Sequence, residues 1–153
     1  MEKQNFYDLN FDQLRAFLIE HAEVDIKKAK MRSQQLFNAV YKKNIKSFDE
    51  LTTFGSKLRS KIKDLISLEK PKIIDVQKSI DGTIKFLLEL KDKRNVETVL
   101  IPDKTQSRYT ICLSVSVGCY LTCEFCATAQ ISKKLVRNLS PGEITSQIIL
   151  CKD

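Results

Sequence analysis

The chain lacks the features of a membrane or secreted protein. Its 153 residues contain no apolar run near the roughly 20 residues that a membrane-spanning helix needs. The polar opening, Met1 to Asn5, has no apolar segment of the kind found in signal peptides. Cysteine is absent before Cys112, and the odd total of five does not suit a disulfide framework. The sequence therefore predicts a cytoplasmic protein in a reducing compartment, without a membrane partner.

Acidic residues are fewer than basic ones. The 26 Lys+Arg against 19 Asp+Glu give a formal net charge of +7. An excess of cations attracts polyanions, so RNA or DNA binding is one interpretation, and a merely soluble lysine-rich surface is the other. The hydrophobic content of 42% is sufficient for a packed core.

Residues 8–70 show the apolar spacing of helices. Ser47 and Glu50 form a capping-box pattern that predicts one helix start, and the sequence after Gly55 predicts a further helix. The predicted core stripes are Phe11, Leu14, Phe17 and Leu18, then Leu36, Phe37, Val40 and Tyr41, then Leu58, Ile62, Leu65 and Ile66. This pattern indicates a small helical bundle.

Lysines lie between these apolar stripes, and Lys27, Lys28 and Lys30 stand close together. A basic exterior of this kind suits contact with nucleic-acid phosphates, although an ordinary solvated face has the same composition. Residues 1–70 are therefore predicted to be a helical accessory domain with RNA-binding-like character.

The pattern changes after Pro71 from helical to extended. Residues 72–80, 83–90 and 96–101 are predicted strands, and Asp81-Gly82 predicts a tight hairpin between the first two. The range 71–107 is thus predicted to be a β-strand extension of antiparallel strands.

Three cysteines follow a fourth predicted strand, residues 109–117. Cys119, Cys123 and Cys126 stand four and then three positions apart, so that one short loop can turn three thiolates toward a single point. Iron-sulfur clusters are held by thiolates, and three ligands on a 4Fe-4S cluster leave one iron open. Structural zinc needs a fourth ligand, and the only histidine, His21, lies far away in sequence. Inert thiols are the third interpretation.

A last helix is predicted from Ser140-Pro141-Gly142-Glu143, which supplies an N-cap, a proline in the first turn and a capping-box glutamate. Strand, cysteine loop and helix together would form the first βα unit of a parallel barrel. The predicted fold is therefore an α+β N-terminal region followed, over residues 108–153, by the truncated start of such a barrel.

The chain resembles the radical S-adenosylmethionine (SAM) RNA methyltransferases of the RlmN/Cfr family. The resemblance rests on the segments around the predicted helices, the hairpin and the cysteines. They are Arg32-Ser33-Gln34-Gln35-Leu36-Phe37 with Tyr41, Asp81-Gly82-Thr83, Val96-Glu97-Thr98-Val99-Leu100-Ile101-Pro102, the cysteine segment, and Arg137-Asn138-Leu139.

The resemblance implies that Cys119, Cys123 and Cys126 hold a 4Fe-4S cluster whose open iron binds SAM. The family methylates carbon 2 of adenine in ribosomal RNA and, for RlmN, also in transfer RNA. It does so by first methylating one of its own cysteines and then making a radical of that methyl group. By the same resemblance, Cys112 matches the thiol that forms a disulfide with the methylated cysteine, and Glu97 matches the proposed proton acceptor.

The resemblance also implies that important segments are missing. The 46 residues from Arg108 to Asp153 are too few for a barrel of roughly 200 residues. The family's methyl-carrying cysteine lies beyond this sequence, and Cys151 does not match its context. Ala129 follows Thr128 where the family has glycine. The expectation is an enzyme's N-terminal portion, with a second polypeptide as one source of the missing strands. The alternative is a non-catalytic fragment that binds RNA or a cluster.

Overall fold

Helices dominate the first half of the chain. The structure is a computed structural model that describes residues 3–103, 105, 107–121, 123–128 and 137–152. The first unit contains α1 (Phe11–Glu20), α2 (Ile26–Phe37) and α3 (Ser56–Leu65), with a π-helical turn at Asn38–Lys42 and 3-10 turns at Phe6–Asp8 and Phe48–Glu50. Two short strands, β1 (Gln4–Asn5) and β2 (Ile66–Ser67), pair in parallel.

Local side-chain caps fix where these helices begin. The Asn10 side chain accepts from the Gln13 backbone N–H while the Gln13 side chain accepts from the Asn10 N–H, a complete capping box for α1. Asp25 caps α2 by accepting from the Lys27 N–H at 2.7 Å. These bonds satisfy backbone donors that have no partner within the helix.

Six of the twelve residues in the predicted core stripes are buried, and the other six are half-buried. Leu14, Leu18, Leu36 and Ile62 are 0% exposed. Each buried side chain of this size contributes about 1.5–3 kcal/mol through removal of apolar surface from water.

The helix predicted at Ser47 is wrong in length. Its capping box forms, with the Ser47 N–H donating to Glu50 Oε1 at 2.9 Å, but the element is the three-residue 3-10 turn Phe48–Glu50. Two β-branched residues, Thr52 and Thr53, follow this turn and lower helix propensity there.

A four-stranded antiparallel sheet organises the second half of the chain. Its strands are β3 (Lys72–Lys78), β4 (Ile84–Glu89), β5 (Asn95–Asp103) and β6 (Arg108–Cys112), which lie side by side in sequence order. Two shorter strands, β7 (Ser116–Val117) and β8 (Arg137–Asn138), pair with each other, and α4 (Pro141–Leu150) follows.

The predicted hairpin at Asp81-Gly82 is confirmed. The Ser79 N–H donates to the Thr83 carbonyl at 2.9 Å, and Gly82 has a φ of 91°, a conformation that favours glycine. A Cβ atom at Gly82 would also meet Pro102 Cγ at 3.2 Å. Both constraints favour glycine at this position.

One face of this sheet forms the core of the second unit. Its centre consists of buried Leu88, Leu90, Val96 and Leu139. Phe86, Val117, Ile144 and Leu150 pack against it and are partly buried. Residues from β4, β5, β7 and α4 thus share one hydrophobic cluster.

Two compact units, Met1–Glu69 and Lys70–Asp153, result from this arrangement. The finer division into 1–70, 71–107 and 108–153 stays a prediction. Within the described ranges, no helix has both the length and the apolar character to cross a membrane.

The α+β character of the prediction is confirmed, but the predicted strand 109–117 is interrupted. β6 ends at Cys112 and β7 begins at Ser116. Between them, Ser114 bonds through its backbone to a side chain of α4 and not to a neighbouring strand. Among the described residues of the second unit, every strand pairing is antiparallel, so the parallel arrangement of a barrel is not seen.

Candidate functional site

One face of the four-stranded sheet carries both predicted catalytic residues, Glu97 and Cys112. Cys112 lies opposite Val99 in the β5–β6 register. Directly opposite residues project from the same face, and Glu97 shares that face because it precedes Val99 by two positions. The structure therefore places Glu97 and Cys112 as diagonal neighbours, roughly 7–8 Å apart.

A lysine holds the Glu97 carboxylate on this face. Lys85 Nζ lies 3.0 Å from Glu97 Oε1, with side chains that are 39% and 54% exposed. Lys85 stands opposite Val99 in the β4–β5 register, which puts it on the same face as its partner. An ion pair with this exposure adds little to stability, but it restricts where the carboxylate points.

The two cysteines outside the loop differ in environment. Cys112 is the exposed last residue of β6. Cys151 follows α4, and burial raises the pKa of its thiol. The thiolate is the reactive form of cysteine, so the raised pKa makes Cys151 a poor nucleophile near neutral pH.

The three loop cysteines follow β7 directly. Gly118, with a φ of 77°, turns the chain out of the strand, and Cys119, Cys123 and Cys126 come after it as half-buried thiols. The Leu121 N–H donates to Cys119 Sγ at 3.4 Å, and the Cys126 N–H donates to the Cys123 carbonyl at 3.1 Å. Ala129 lies outside the described residues.

The donor set of this loop fits an iron-sulfur cluster by its chemistry. Three thiols on one loop are the ligand type that such clusters use, and an N–H to sulfur bond like that of Leu121 is a contact that tunes them. Among the described side chains, however, no three His, Cys, Asp or Glu residues stand together as a formed metal site. The structure therefore brings the thiols to one loop but not to one point.

Sequence reasoning missed a buried glutamine beside this site. Gln147 of α4 is 0% exposed, and its Oε1 accepts from Thr98 Oγ1 at 2.7 Å and from the Ser114 N–H at 2.9 Å. Its Nε2 donates to the Ser114 carbonyl at 2.9 Å. The sequence does contain a signal for this residue, because the polar Gln147 interrupts the apolar stripe of the helix between Ile144 and Leu150.

A second group is Arg137, which the sequence marked only as part of a family motif and which joins β8 to α4. Arg137 donates to both carboxylate oxygens of Glu143 at 2.7 Å, and its Nε donates to Asp92 Oδ2 at 2.9 Å. Hydrogen bonds from Arg137 lower the pKa of both Glu143 and Asp92. The bonds from Glu143, and secondly from Asp92, raise the already high pKa of the guanidinium. The network anchors the chain where it returns from the cysteine loop.

The first unit presents the predicted basic surface on α2. Lys27, Lys28 and Lys30 are all exposed, and an open groove of about 490 Å³ is bordered by Lys27, Lys30 and the exposed Met31. The charges lie in the first turns of a helix, where they gain nothing from the helix dipole. Phosphate contact is one use for cations placed there.

Arg32, by contrast, serves packing. Its guanidinium lies 5.1 Å from the centroid of the Phe54 ring and donates to the Thr53 carbonyl at 2.9 Å. Phe54 is 3% exposed, so this aromatic residue belongs to the core and does not offer a stacking platform. Tyr41 is another aromatic residue of this unit, and burial raises the pKa of its hydroxyl group.

Comparison with known proteins connects these features. The family model of the ribosomal RNA large subunit methyltransferase N-terminal domain matches residues 4–68. The dual-specificity RNA methyltransferase RlmN of a Ruegeria species is 38% identical over 99% of this chain, and that of Novosphingobium aromaticivorans is 41% identical over 90%. The chain is thus similar to RlmN proteins over nearly its whole length. The family resemblance expected from the sequence motifs is thereby confirmed.

A solved structure agrees with this assignment. The crystal structure of a radical SAM methyltransferase from Sphaerobacter thermophilus matches 96% of this chain with a TM-score of 0.80 and 30% identity. This chain covers 41% of that one, and it covers 37% and 31% of the Ruegeria and Novosphingobium RlmN sequences. It therefore corresponds to the N-terminal portion of these RlmN proteins.

Proposed function

We propose that this chain is the N-terminal portion of a radical SAM methyltransferase that methylates carbon 2 of adenine in ribosomal RNA and transfer RNA. The observation that carries the proposal is the joint occurrence of RlmN similarity over nearly the whole chain and three thiols on one loop after β7. The relatives are named as dual-specificity RNA methyltransferases, and the structural relative as a radical SAM methyltransferase.

In this proposal Cys119, Cys123 and Cys126 are the ligands of a 4Fe-4S cluster. When bound, such a cluster with one open iron would bind SAM and supply the electron for radical chemistry. The Leu121 N–H, which already contacts Cys119 Sγ, would stabilise the negative charge of that thiolate. Gly118 supports the proposal because its positive φ turns the loop away from β7.

Glu97 and Cys112 would act from the sheet face that they share. Glu97 would accept a proton from the substrate at one carboxylate oxygen while Lys85 keeps the group oriented. The exposed Cys112 sulfur would attack the sulfur of a methyl-carrying cysteine outside this sequence. The S–S bond would form as the bond from that sulfur to the carbon attached to the base breaks, and this carbon would keep the electron pair and take up a proton. Their placement on one face is what supports joint action at one substrate.

The segment from β7 through the cysteine loop to α4 would be the start of a radical SAM barrel. The similarity to the Sphaerobacter structure supports this part of the proposal, since it extends over 96% of the chain. The remaining strands would belong to the rest of a longer chain or to a second polypeptide, and the comparisons offer no evidence for the latter.

Anaerobic reconstitution tests the cluster proposal. The chain is loaded with iron and sulfide, reduced, and examined by electron paramagnetic resonance with and without SAM. We expect a 4Fe-4S signal that changes when SAM is added, because one iron has no protein ligand. Replacing Cys119, Cys123 and Cys126 together by serine should abolish the signal, whereas the matched control Cys151→Ser should retain it.

Two outcomes would contradict the proposal. A colourless protein that binds one zinc ion per chain would indicate a structural zinc site. Absence of any signal, or a signal that SAM leaves unchanged, would favour a non-catalytic fragment whose remaining activity is RNA binding.

RNA binding by the first unit is a separable part of the proposal, favoured by the exposed lysines of α2. Affinity for a ribosomal RNA fragment should fall steeply with salt, as expected for phosphate contacts. Changing Lys27, Lys28 and Lys30 to glutamine should reduce the salt slope by about 2, if each contacts one phosphate of a single strand. Fluorescence anisotropy titrations at several salt concentrations measure this.

The matched control changes three exposed lysines of the other unit, Lys72, Lys78 and Lys93, to glutamine. This control variant lowers the net charge by the same amount as the α2 variant. An identical loss in both triple variants would show that total charge, and not the α2 surface, governs binding. An unchanged slope in the α2 variant would remove this helix from RNA recognition.

A further inference from the structure

The interruption between β6 and β7 has an unusual hydrogen-bond arrangement. The β5–β6 ladder ends at the pair Val99 and Cys112, so the same register continued by two positions would set Ser114 opposite Glu97. Instead, the Ser114 N–H and carbonyl both bond to the side-chain amide of Gln147, at 2.9 Å each. The amide of Gln147 thus takes the place of a β-strand partner at this single residue.

The orientation of that amide is fixed by its other contacts. Gln147 Oε1 also accepts from Thr98 Oγ1 at 2.7 Å, and Nε2 also donates to the Glu143 carbonyl at 3.2 Å. Oε1 therefore accepts two bonds and Nε2 donates two, which satisfies the amide fully. Because Gln147 and Thr98 are 0% and 1% exposed, water cannot replace a lost bond without rearrangement.

Ser114 is also bonded to the strand that carries Glu97. Ser114 Oγ donates to the Glu97 carbonyl at 2.7 Å. Ser114 lies two residues after Cys112 and five residues before Cys119. One clamped residue therefore stands between the two thiol-bearing segments and is bonded directly to the backbone of Glu97.

We propose that Gln147 is a positioning residue: by clamping Ser114 it sets where Cys112 and the start of the cysteine loop lie relative to Glu97. Gln147 touches none of the reacting groups and acts only through the main chain of Ser114. The functional consequence rests on the proposed radical SAM chemistry, whereas the clamp itself rests on the hydrogen bonds alone.

Gln147→Met tests the clamp, because methionine has similar length and flexibility but no amide. In hydrogen exchange resolved to single amides, Ser114 should exchange about tenfold faster, the change expected for loss of roughly one buried hydrogen bond. The amides of β3 and β4 should keep their protection. Alkylation of Cys112, measured by mass spectrometry against Cys151 in the same molecule, should accelerate as the end of β6 loosens.

Ser146→Ala is the matched control. Ser146 is the neighbouring buried residue of α4, and among the described atoms its hydroxyl has no hydrogen-bond partner. This substitution should leave Ser114 exchange and Cys112 alkylation unchanged. Thr98→Val is a milder second variant for use if Gln147→Met does not fold, since it removes one of the two bonds to Oε1 and should produce a smaller change in the same direction.

Unchanged exchange at Ser114 in the folded Gln147→Met or Thr98→Val variant would overturn the proposal. Faster exchange throughout residues 70–153 would also overturn it, because that result describes a purely structural role. The electron paramagnetic resonance signal of the cluster separates a failure of the clamp from a failure of the proposed chemistry. If the unmodified chain binds a cluster, the clamp predicts a weaker or altered SAM-dependent signal in Gln147→Met; if it binds none, the proposed chemistry fails while the exchange data still decide on the clamp.

Discussion

The two units of the chain differ in how much of their apolar surface they bury. Among the described residues, sixteen buried apolar side chains belong to the first unit and five to the second. Large exposed apolar side chains show the opposite distribution, with two in the first unit and ten in the second. The helical unit therefore has a core of its own, whereas the sheet unit leaves much apolar surface in water.

The exposed apolar residues of the second unit include several around the cysteine loop. Val115, Tyr120, Leu121 and Phe125 are 61%, 72%, 66% and 92% exposed. Large contiguous apolar surfaces are uncommon on monomeric proteins unless they meet a partner or ligand. The difference teaches that the first unit is organised for its own stability, while the second combines a small core with the surface where the proposed chemistry takes place.

The same substitution in each unit gives the largest test of this comparison. Phe6 is 0% exposed, with its ring centroid 5.4 Å from that of Phe37, so Phe6→Ala should lower the free energy of unfolding of the first unit by about 3–5 kcal/mol. Phe125→Ala should change the stability of the second unit by no more than about 0.5 kcal/mol. Urea unfolding monitored by hydrogen exchange measures both. An equal loss for Phe125→Ala would mean that its ring is packed in solution.

The arginine network of the second unit should have the next largest effect. Arg137→Met leaves Glu143 and Asp92 without their main cation and should cost about 2 kcal/mol, a value for charge-assisted bonds that are partly exposed. Both carboxyl groups have lowered pKa values in the folded state, from ordinary values of 4.5 and 3.8. The difference in free energy of unfolding between wild type and Arg137→Met should therefore be complete above about pH 5. It should disappear as the pH falls through the lowered pKa values.

Denaturant unfolding of wild type and Arg137→Met between pH 3 and pH 7 provides the measurement. Arg94→Met is the matched control, since Arg94 contacts Asp92 at a longer 3.4 Å and is 46% exposed. It should cost less than about 0.5 kcal/mol. A stability difference for Arg137→Met that persists undiminished at pH 3 would show that the residue acts through packing of its aliphatic stem and not through its charge.

Much of the fold was predictable because its signals are local. The caps at Ser47 and Ser140 and the hairpin at Gly82 each depend on a few adjacent residues, and all three form. The break in the strand over 109–117 was not predictable in this way. It depends on Gln147, which is 33 residues from Ser114 in sequence and meets it only after α4 has packed on the sheet.

The candidate site shows the same limit. Cysteine spacing predicted that Cys119, Cys123 and Cys126 share one loop, and family resemblance pointed to Glu97 and Cys112 before any register was known. Spacing could not predict how close the thiols lie, because thiolates are drawn together by the metal that they share. Register could not be read from periodicity alone, and it is register that places Glu97 and Cys112 on one face.

The smallest expected effect compares the two serine caps. Ser140 Oγ accepts from the Glu143 N–H at 3.1 Å and begins the ten-residue α4, whereas Ser47 Oγ accepts from the Asp49 N–H at 3.2 Å and begins a turn of three residues. Ser140→Ala should cost the second unit about 1 kcal/mol.

Ser47→Ala should cost the first unit roughly half as much, at the low end of measured caps, because its turn has few backbone donors to satisfy and its core is otherwise well filled. Hydrogen exchange at the amides of Glu143 and Asp49 reports each cap separately. A larger loss for Ser47→Ala would show that the 3-10 turn supports the helical core more strongly than its length suggests, and that the first unit is less self-sufficient than its burial indicates.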